Sequence, residues 1–133
     1  MTKILIVDDS PAEVRLMQSV LHRAGFTSVA VHDPTRLEQM IDAEKPNLIL
    51  LDVVMPQRNG FQACRELKGN AVYAQIPVVI ISSKSTESDR FWGKQQGADG
   101  YLTKPFSNEE LLRTVRNLVR KKEAEKTEKT AKK

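Results

Sequence analysis

The sequence predicts an α/β fold in which a parallel sheet carries helices on both faces. Short aliphatic runs alternate five times with stretches whose apolar residues recur at helical spacing. One of these runs, Leu48-Ile49-Leu50-Leu51, is apolar at every position, which is typical of a strand buried on both faces. Strands that alternate with helices form parallel neighbours through helical crossovers, so we expect one layered domain.

Each predicted strand is a short apolar run that ends in polar or turn-forming residues. The strands are predicted at residues 3–7, 28–32, 47–52, 77–81 and 99–103. The helices are predicted from Pro11 toward Gly25, at 35–43, 61–68 and 88–96, and from Ser107 or Asn108 onward. Right-handed crossovers between five strands favour the flavodoxin-like strand order 2-1-3-4-5.

Composition fits a protein of one domain with an ordinary core. The chain has 133 residues, of which 40% are hydrophobic, and no apolar run approaches the ~20 residues that span a bilayer. The first residues lead directly into a strand, so we expect no signal peptide. Cys64 is the only cysteine and excludes an internal disulfide, which favours a reducing compartment, the cytoplasm.

The positive charge is concentrated at the carboxyl end. Residues 121–133 contain six lysines and three glutamates, so about +1 of the net charge of +4 is left on residues 1–120. This composition predicts a domain at 1–120, followed by a charged tail at 121–133 that is either a solvated helical extension or disordered.

Acidic residues follow two strands that are neighbours in the predicted order. Asp8 and Asp9 come after the first strand and Asp52 ends the third, so all three border the crevice at the switch point of the sheet. Adjacent carboxylates repel one another unless a cation or protons join them. Mg²⁺ prefers oxygen ligands, and no histidine or cysteine stands at these strand ends to indicate zinc.

Ser82 and Lys104 follow the fourth and fifth strands at the same edge of the sheet. A lysine ammonium balances the charge of a phosphoryl group, and a serine hydroxyl donates to one of its oxygens. Together with the carboxylates they predict a phosphoryl-transfer site in which Asp52 is the nucleophile.

These residues resemble the pattern of CheY-like response-regulator receiver domains over residues 3 to about 120. The matching positions are Asp8-Asp9, Asp52, Met55-Pro56, Gly60, Ser82, Gly97-Ala98, Tyr101 and Lys104-Pro105-Phe106. The resemblance implies that Asp52 is the phosphoacceptor. It implies that Asp9, Asp52 and the backbone carbonyl of Val54 bind Mg²⁺, with Asp8 acting mainly through water, and that Lys104 contacts the phosphoryl group.

The same resemblance implies a switch and a mode of output. Ser82 is expected to be the switch hydroxyl and Tyr101 the aromatic residue that follows it, and the bond before Pro105 is expected to be cis. The phosphoryl group would come from a histidine kinase or a histidine phosphotransfer protein. A downstream protein would dock on the fourth helix, fifth strand and fifth helix, where Trp92 is either a partner contact or a ring covering the sheet edge.

A closer likeness connects the chain with single-domain regulators of type IV pilus motility, in twitching or phototaxis. It rests on residues 52–56, 59–62 and 91–98. Two positions depart from the usual receiver pattern, Ser83 where alanine or glycine is common and Asn59 where aspartate is common. Both departures keep the groups of the site, so we expect altered rates and retained function.

Two other functions are weighed against this switch. A Mg²⁺-dependent phosphohydrolase with Asp52 as nucleophile usually has a second aspartate two residues later, where this chain has Val54. A nucleic-acid binder acting through the lysine-rich tail would be weakened by the glutamates there and by the lack of interleaved aromatic residues. We expect no enzyme activity on other substrates, no nucleic acid or membrane partner, and a monomer, with a phosphorylation-linked dimer as the alternative.

Overall fold

The computed structural model describes residues 2–84 and 86–131. Its five parallel strands form one sheet in the order β2-β1-β3-β4-β5, which confirms the predicted topology. The strands are β1 (Lys3–Val7), β2 (Thr27–Val31), β3 (Leu48–Asp52), β4 (Val78–Ser82) and β5 (Gly100–Thr103). Each lies within one or two residues of its predicted range.

The helices are α1 (Pro11–Arg23), α2 (Leu37–Glu44), α3 (Gly60–Lys68), α4 (Glu87–Gln95) and α5 (Asn108–Ala131). The predicted second helix began at residue 35, but a 3₁₀ turn (Pro34–Arg36) comes before α2. The Asp33 side chain accepts a hydrogen bond from the Thr35 amide at 3.0 Å, and this cap tightens the chain into a separate turn.

The sheet is buried on both faces, as the continuous apolar runs predict. Alternate residues of the central strands enter different clusters, so that Leu5 and Ile49 face one side while Ile4 and Leu50 face the other. Helices α2 and α3 cover the first side, and α1 and α5 cover the second. The carboxyl edge of the sheet is therefore held by a core on each face.

The loop after β3 contains an Asn59-Gly60 pair, a dipeptide typical of turns with positive φ. The residue with positive φ in this loop is instead Gln57, at 70°. Asn59 instead caps α3 by accepting a hydrogen bond from the Gln62 amide at 2.9 Å. Gly60 opens that helix against the backbone of Asp52, where a Cβ atom would overlap the carbonyl oxygen.

The carboxyl segment from residue 121 continues α5 as a helical extension as far as Ala131. Lys122 near its start contacts Gln75 through Nζ and Oε1 at 3.3 Å. The last two residues of the predicted tail, Lys132 and Lys133, lie outside the described residues. Among the residues that the structure describes, no helix is long and apolar enough to cross a bilayer.

Candidate functional site

The register of the sheet brings the predicted site residues to one edge. Leu51 of β3 pairs with Val7, the residue before Asp8, and Asp52 pairs with Ile81, the residue before Ser82. Thr103, which precedes Lys104, pairs with Ser82. The three acidic residues, Ser82 and Lys104 therefore meet because neighbouring strands end at nearly the same level.

Three carboxylates line the crevice at this edge. One oxygen atom of each of Asp8, Asp9 and Asp52 lies within 4.8 Å of the others. Asp8 and Asp52 are buried, with relative exposures of 1% and 6%, whereas Asp9 is exposed. Such crowding favours protonation or a bound cation, since charges of like sign repel strongly in a partly dry site.

Asp8 carries the clearest sign of this crowding. Burial, reinforced by the Asp52 charge and opposed by the Ser10 amide, raises the pKa of Asp8 to about 7. No group among the described residues hydrogen-bonds to the buried Asp8 Oδ2 atom. A buried oxygen in need of a partner, beside two further carboxylates, fits a hard divalent cation such as Mg²⁺.

Lys104 lies at the same crevice and contacts its carboxylates. Its Nζ atom is 2.9 Å from Asp52 Oδ1 and 2.7 Å from Glu13 Oε2, and 3.9 Å from Asp8 Oδ2. Burial raises the pKa of Asp52, and the hydrogen bond from Lys104 partly offsets that rise. The peptide bond between Lys104 and Pro105 is cis.

Glu13 was missed by the reasoning from sequence. It lies in the first turn of α1, and its backbone amide donates a hydrogen bond to Ser10 Oγ, the helix cap, at 3.4 Å. The available signal was a carboxylate one turn into a helix that starts at the site edge, and such residues usually complement only the helix dipole.

Lys84 is a second feature that the sequence did not indicate. Its backbone amide donates to Ser82 Oγ at 3.0 Å, and its carbonyl accepts from the Tyr101 hydroxyl at 2.7 Å. The Tyr101 ring packs against the core and against Gly93 of α4, while the Arg90 guanidinium lies 5.4 Å from the ring centroid. One residue therefore joins the two expected switch side chains.

Comparison with known proteins assigns the family. Residues 4–116 match the model of the response regulator receiver domain. The chain belongs to the response-regulator receiver family.

Relatives of this receiver domain include proteins of similar length and proteins about twice as long. It is 44% identical over 115 residues to Protein PilH of Pseudomonas aeruginosa, covering 86% of this chain and 95% of the relative, which supports the pilus-type group. It is 36% identical to the alkaline phosphatase synthesis transcriptional regulatory protein PhoP of Bacillus subtilis, covering 91% of this chain but only about half (50%) of that relative. The structure of the Vibrio cholerae chemotaxis protein CheY4 has a TM-score of 0.82 at 28% identity, covering 89% of this chain and 98% of that chain.

Trp92 lies on α4, away from the carboxylate crevice of the receiver domain. It is 51% exposed and its neighbour Phe91 is 63% exposed, and both line a shallow depression with Glu87 and Ser88. The next residue, Gly93, is buried and packs against the Tyr101 ring. At 51% exposure Trp92 is a partly buried ring, which fits both a partner contact and a ring covering the sheet edge, so its role as a partner contact stays a prediction.

Val54, whose carbonyl is expected to bind the metal, lies two residues after Asp52 with its side chain 66% exposed. An aliphatic side chain supplies no acid or base at that position. The receiver domain therefore lacks, at residue 54, the second carboxylate that the phosphohydrolase alternative would use.

Proposed function

We propose that this response regulator accepts a phosphoryl group on Asp52 and thereby changes a surface that docks a downstream protein. The observation that carries the proposal is the setting of Asp52, a buried carboxylate contacted by Lys104 and crowded by Asp8 and Asp9. A carboxylate with a neighbouring ammonium and a set of oxygen ligands provides what phosphoryl transfer to an aspartate needs.

The transfer forms one bond and breaks another. A carboxylate oxygen of Asp52 attacks the phosphorus atom, and the bond from phosphorus to the donor atom breaks with its electron pair staying on the donor. Lys104 balances charge on the phosphoryl oxygens, which its contact with Asp52 Oδ1 positions it to do. Asp9, Asp52 and the Val54 carbonyl would hold Mg²⁺, with Asp8 mainly through water. When bound, the ion neutralises charge on the carboxylates and the phosphoryl oxygens.

The response is proposed to run from Ser82 to α4 through Lys84. A phosphoryl group adds acceptor oxygens at the crevice, and the Ser82 hydroxyl is a donor at its edge. If Ser82 turns to donate to it, the hydroxyl leaves the Lys84 amide, and the Lys84 carbonyl shifts against the Tyr101 hydroxyl. Because the Tyr101 ring already packs against Gly93, a change at Lys84 is transmitted to the helix that bears Trp92.

The partners follow from the chemistry and from the relatives. The phosphoryl group would come from a histidine kinase or a histidine phosphotransfer protein, and the output would serve motility or taxis, as the 44% identity to Protein PilH favours. We place this signalling in the cytoplasm, because such kinases draw phosphoryl groups from ATP and the single cysteine is unpaired. The chain acts in this scheme as a switch that catalyses only its own phosphorylation and dephosphorylation.

The test is the intact mass of the protein after incubation with acetyl phosphate, with and without Mg²⁺. We expect a gain of one phosphoryl group that requires Mg²⁺ and is absent in Asp52→Asn. Asp33→Asn is the matched control, because Asp33 is an exposed aspartate just after β2 at the same edge. An equal mass gain in Asp52→Asn would rule out Asp52 as the acceptor.

A further inference from the structure

Lys104 is held between two carboxylates of different character. One is Asp52, which is buried, and the other is Glu13, whose side chain is 45% exposed. The contact to Glu13 is the shorter one, at 2.7 Å against 2.9 Å. Both carboxylates therefore share the Lys104 ammonium group.

We propose that Glu13 is a positioning residue that competes with the phosphoryl group for Lys104 and so weakens phosphoryl binding at Asp52. This inference rests on the proposed function, since it concerns the same site. Glu13 would set how readily the crevice is occupied without taking part in bond formation itself.

The competition follows from the charges around Lys104. An ammonium has three donors, and two of them already serve Glu13 and Asp52. A phosphoryl group on Asp52 brings several anionic oxygens to the same ammonium, while the Glu13 carboxylate remains as a neighbouring negative charge. The phosphorylated crevice must either tolerate that repulsion or expel Glu13 from Lys104.

Glu13 can leave Lys104 more readily than Asp52 can, because the Glu13 side chain is 45% exposed and that of Asp52 only 7% exposed. Glu13 lines a groove of about 500 Å³ between α1 and the segment after β5, together with Leu16 and Phe106 among others. Its backbone is fixed by the Ser10 cap, so only the side chain needs to turn outward. The hydrogen bond from Lys104 also lowers the pKa of Glu13, so the carboxylate keeps its negative charge near neutral pH.

The experiment measures beryllofluoride affinity by calorimetry with Mg²⁺ present, and the rate of mass gain with acetyl phosphate, in wild type and Glu13→Gln. We expect Glu13→Gln to bind beryllofluoride about three- to fivefold more tightly. This is the size of effect expected when binding no longer has to compete with one partly exposed ion pair. The advantage should shrink between low and high salt, because screening weakens a charge effect but not a packing effect.

Glu109→Gln is the matched control, because Glu109 is an exposed glutamate in the first turn of α5 and its loss changes the net charge equally. Glu13→Asp keeps the charge but shortens the reach, so we expect an affinity between those of wild type and Glu13→Gln. It also serves as the second variant if Glu13→Gln folds poorly.

The outcomes separate the two proposals. If wild type neither binds beryllofluoride nor gains a phosphoryl group, the proposed function fails and this inference fails with it. If wild type does both, but Glu13→Gln binds no more tightly than wild type or gains the same advantage at every salt concentration, the competition is refuted and the proposed function stands.

Discussion

Asp8 illustrates at the scale of one residue how the fold changes a side chain that the sequence already singles out. The sequence indicates an acidic pair after a strand, but the two members differ, because Asp8 is 1% exposed and Asp9 is exposed. Burial is the main cause that raises the pKa of Asp8 from 3.8 to about 7. This carboxyl group therefore binds its proton more tightly in the folded chain than in the unfolded chain.

The expected consequence is a loss of stability with rising pH in metal-free buffer. Below about pH 4 the group is protonated in both states, and as the pH rises toward 7 only the unfolded chain releases the proton, which favours unfolding. Burial also raises the pKa of Asp52, which acts in the same direction. Thermal melts in EDTA at pH 5 and pH 8 should show a lower melting temperature at pH 8.

Asp8→Asn is the comparison for this pH effect, because it keeps the volume and removes the charge. Its melting temperature should depend less on pH than that of wild type between pH 5 and pH 8. An identical pH dependence of the melting temperature in the two proteins would show that ionisation of Asp8 does not destabilise the folded state.

At the scale of elements, the β3–α3 connection holds Asp52 in place by close backbone contact. The Gly60 amide donates to the Val53 carbonyl at 3.0 Å, and a Cβ atom on Gly60 would overlap the backbone of Asp52. The start of α3 therefore packs directly against the end of β3. The requirement for glycine comes from this approach, not from an unusual φ angle.

Gly60→Ala should destabilise the fold by about 1–3 kcal/mol, the usual cost of overpacking, and slow the mass gain with acetyl phosphate. The measurements are urea unfolding and intact mass. Gly69→Ala is the control, because Gly69 has a helical conformation with φ of −82° and its nearest neighbour atom would be 3.3 Å from the added methyl group. If Gly60→Ala has the same free energy of unfolding as wild type, the β3–α3 connection adjusts to the added methyl group without cost.

The helical extension of α5 becomes exposed along its length. Val119, Lys122, Glu123 and Lys126 line a depression at the amino end of the sheet with Asn47 and Pro77. Lys122 is half-buried, whereas residues 123–128 are exposed. We propose the boundary between domain and extension within this helix, close to the predicted end of the domain at residue 120.

Truncation tests that boundary. Removal of residues 127–133 should leave the melting temperature unchanged, because this segment has no apolar residue larger than Ala131 and so can bury almost no apolar surface. Removal of residues 121–133 should lower it by a few degrees, because it takes away Lys122 and its contact with Gln75. Equal melting temperatures for both truncations would show that no part of residues 121–133 contributes to the stability of the domain.

At the scale of the whole molecule, the carboxylate crevice and the exposed aromatic pair Phe91 and Trp92 lie on different elements. Lys84 and Tyr101 lie between them. Coupling between them needs two arrangements whose balance the phosphoryl group shifts by unequal contacts. Two hydrogen bonds to Lys84 join Ser82 to Tyr101, and the Tyr101 ring lies against Gly93 of α4. This gives the proposed response a short physical route.

Ser82→Ala should accept a phosphoryl group on Asp52 but transmit it poorly. The measurement is the change in amide shifts of α4 on adding beryllofluoride, in wild type and Ser82→Ala. Ser83→Ala is the control, because Ser83 is an exposed neighbour. A full wild-type response in Ser82→Ala would show that the signal travels by another route.

The sequence by itself determined the topology and placed the acidic residues, Ser82 and Lys104 at one edge of the sheet. Continuous aliphatic runs such as 48–51 specify strands buried on both faces, and parallel strands end at one edge wherever their order is fixed. Asp8, Asp52, Ser82 and Lys104 could therefore be assigned to one crevice before any distance was known.

The tertiary structure alone decided which neighbours those residues have. The Glu13–Lys104 ion pair joins residues 91 positions apart, and the link from Ser82 to Tyr101 passes through the backbone of Lys84, whose side-chain type carries no signal. The role of Gly60 likewise depends on how closely α3 approaches β3. Local patterns fix the ends of elements, but side-chain contacts depend on distances of a few ångströms between elements, which are set by packing of the complete core.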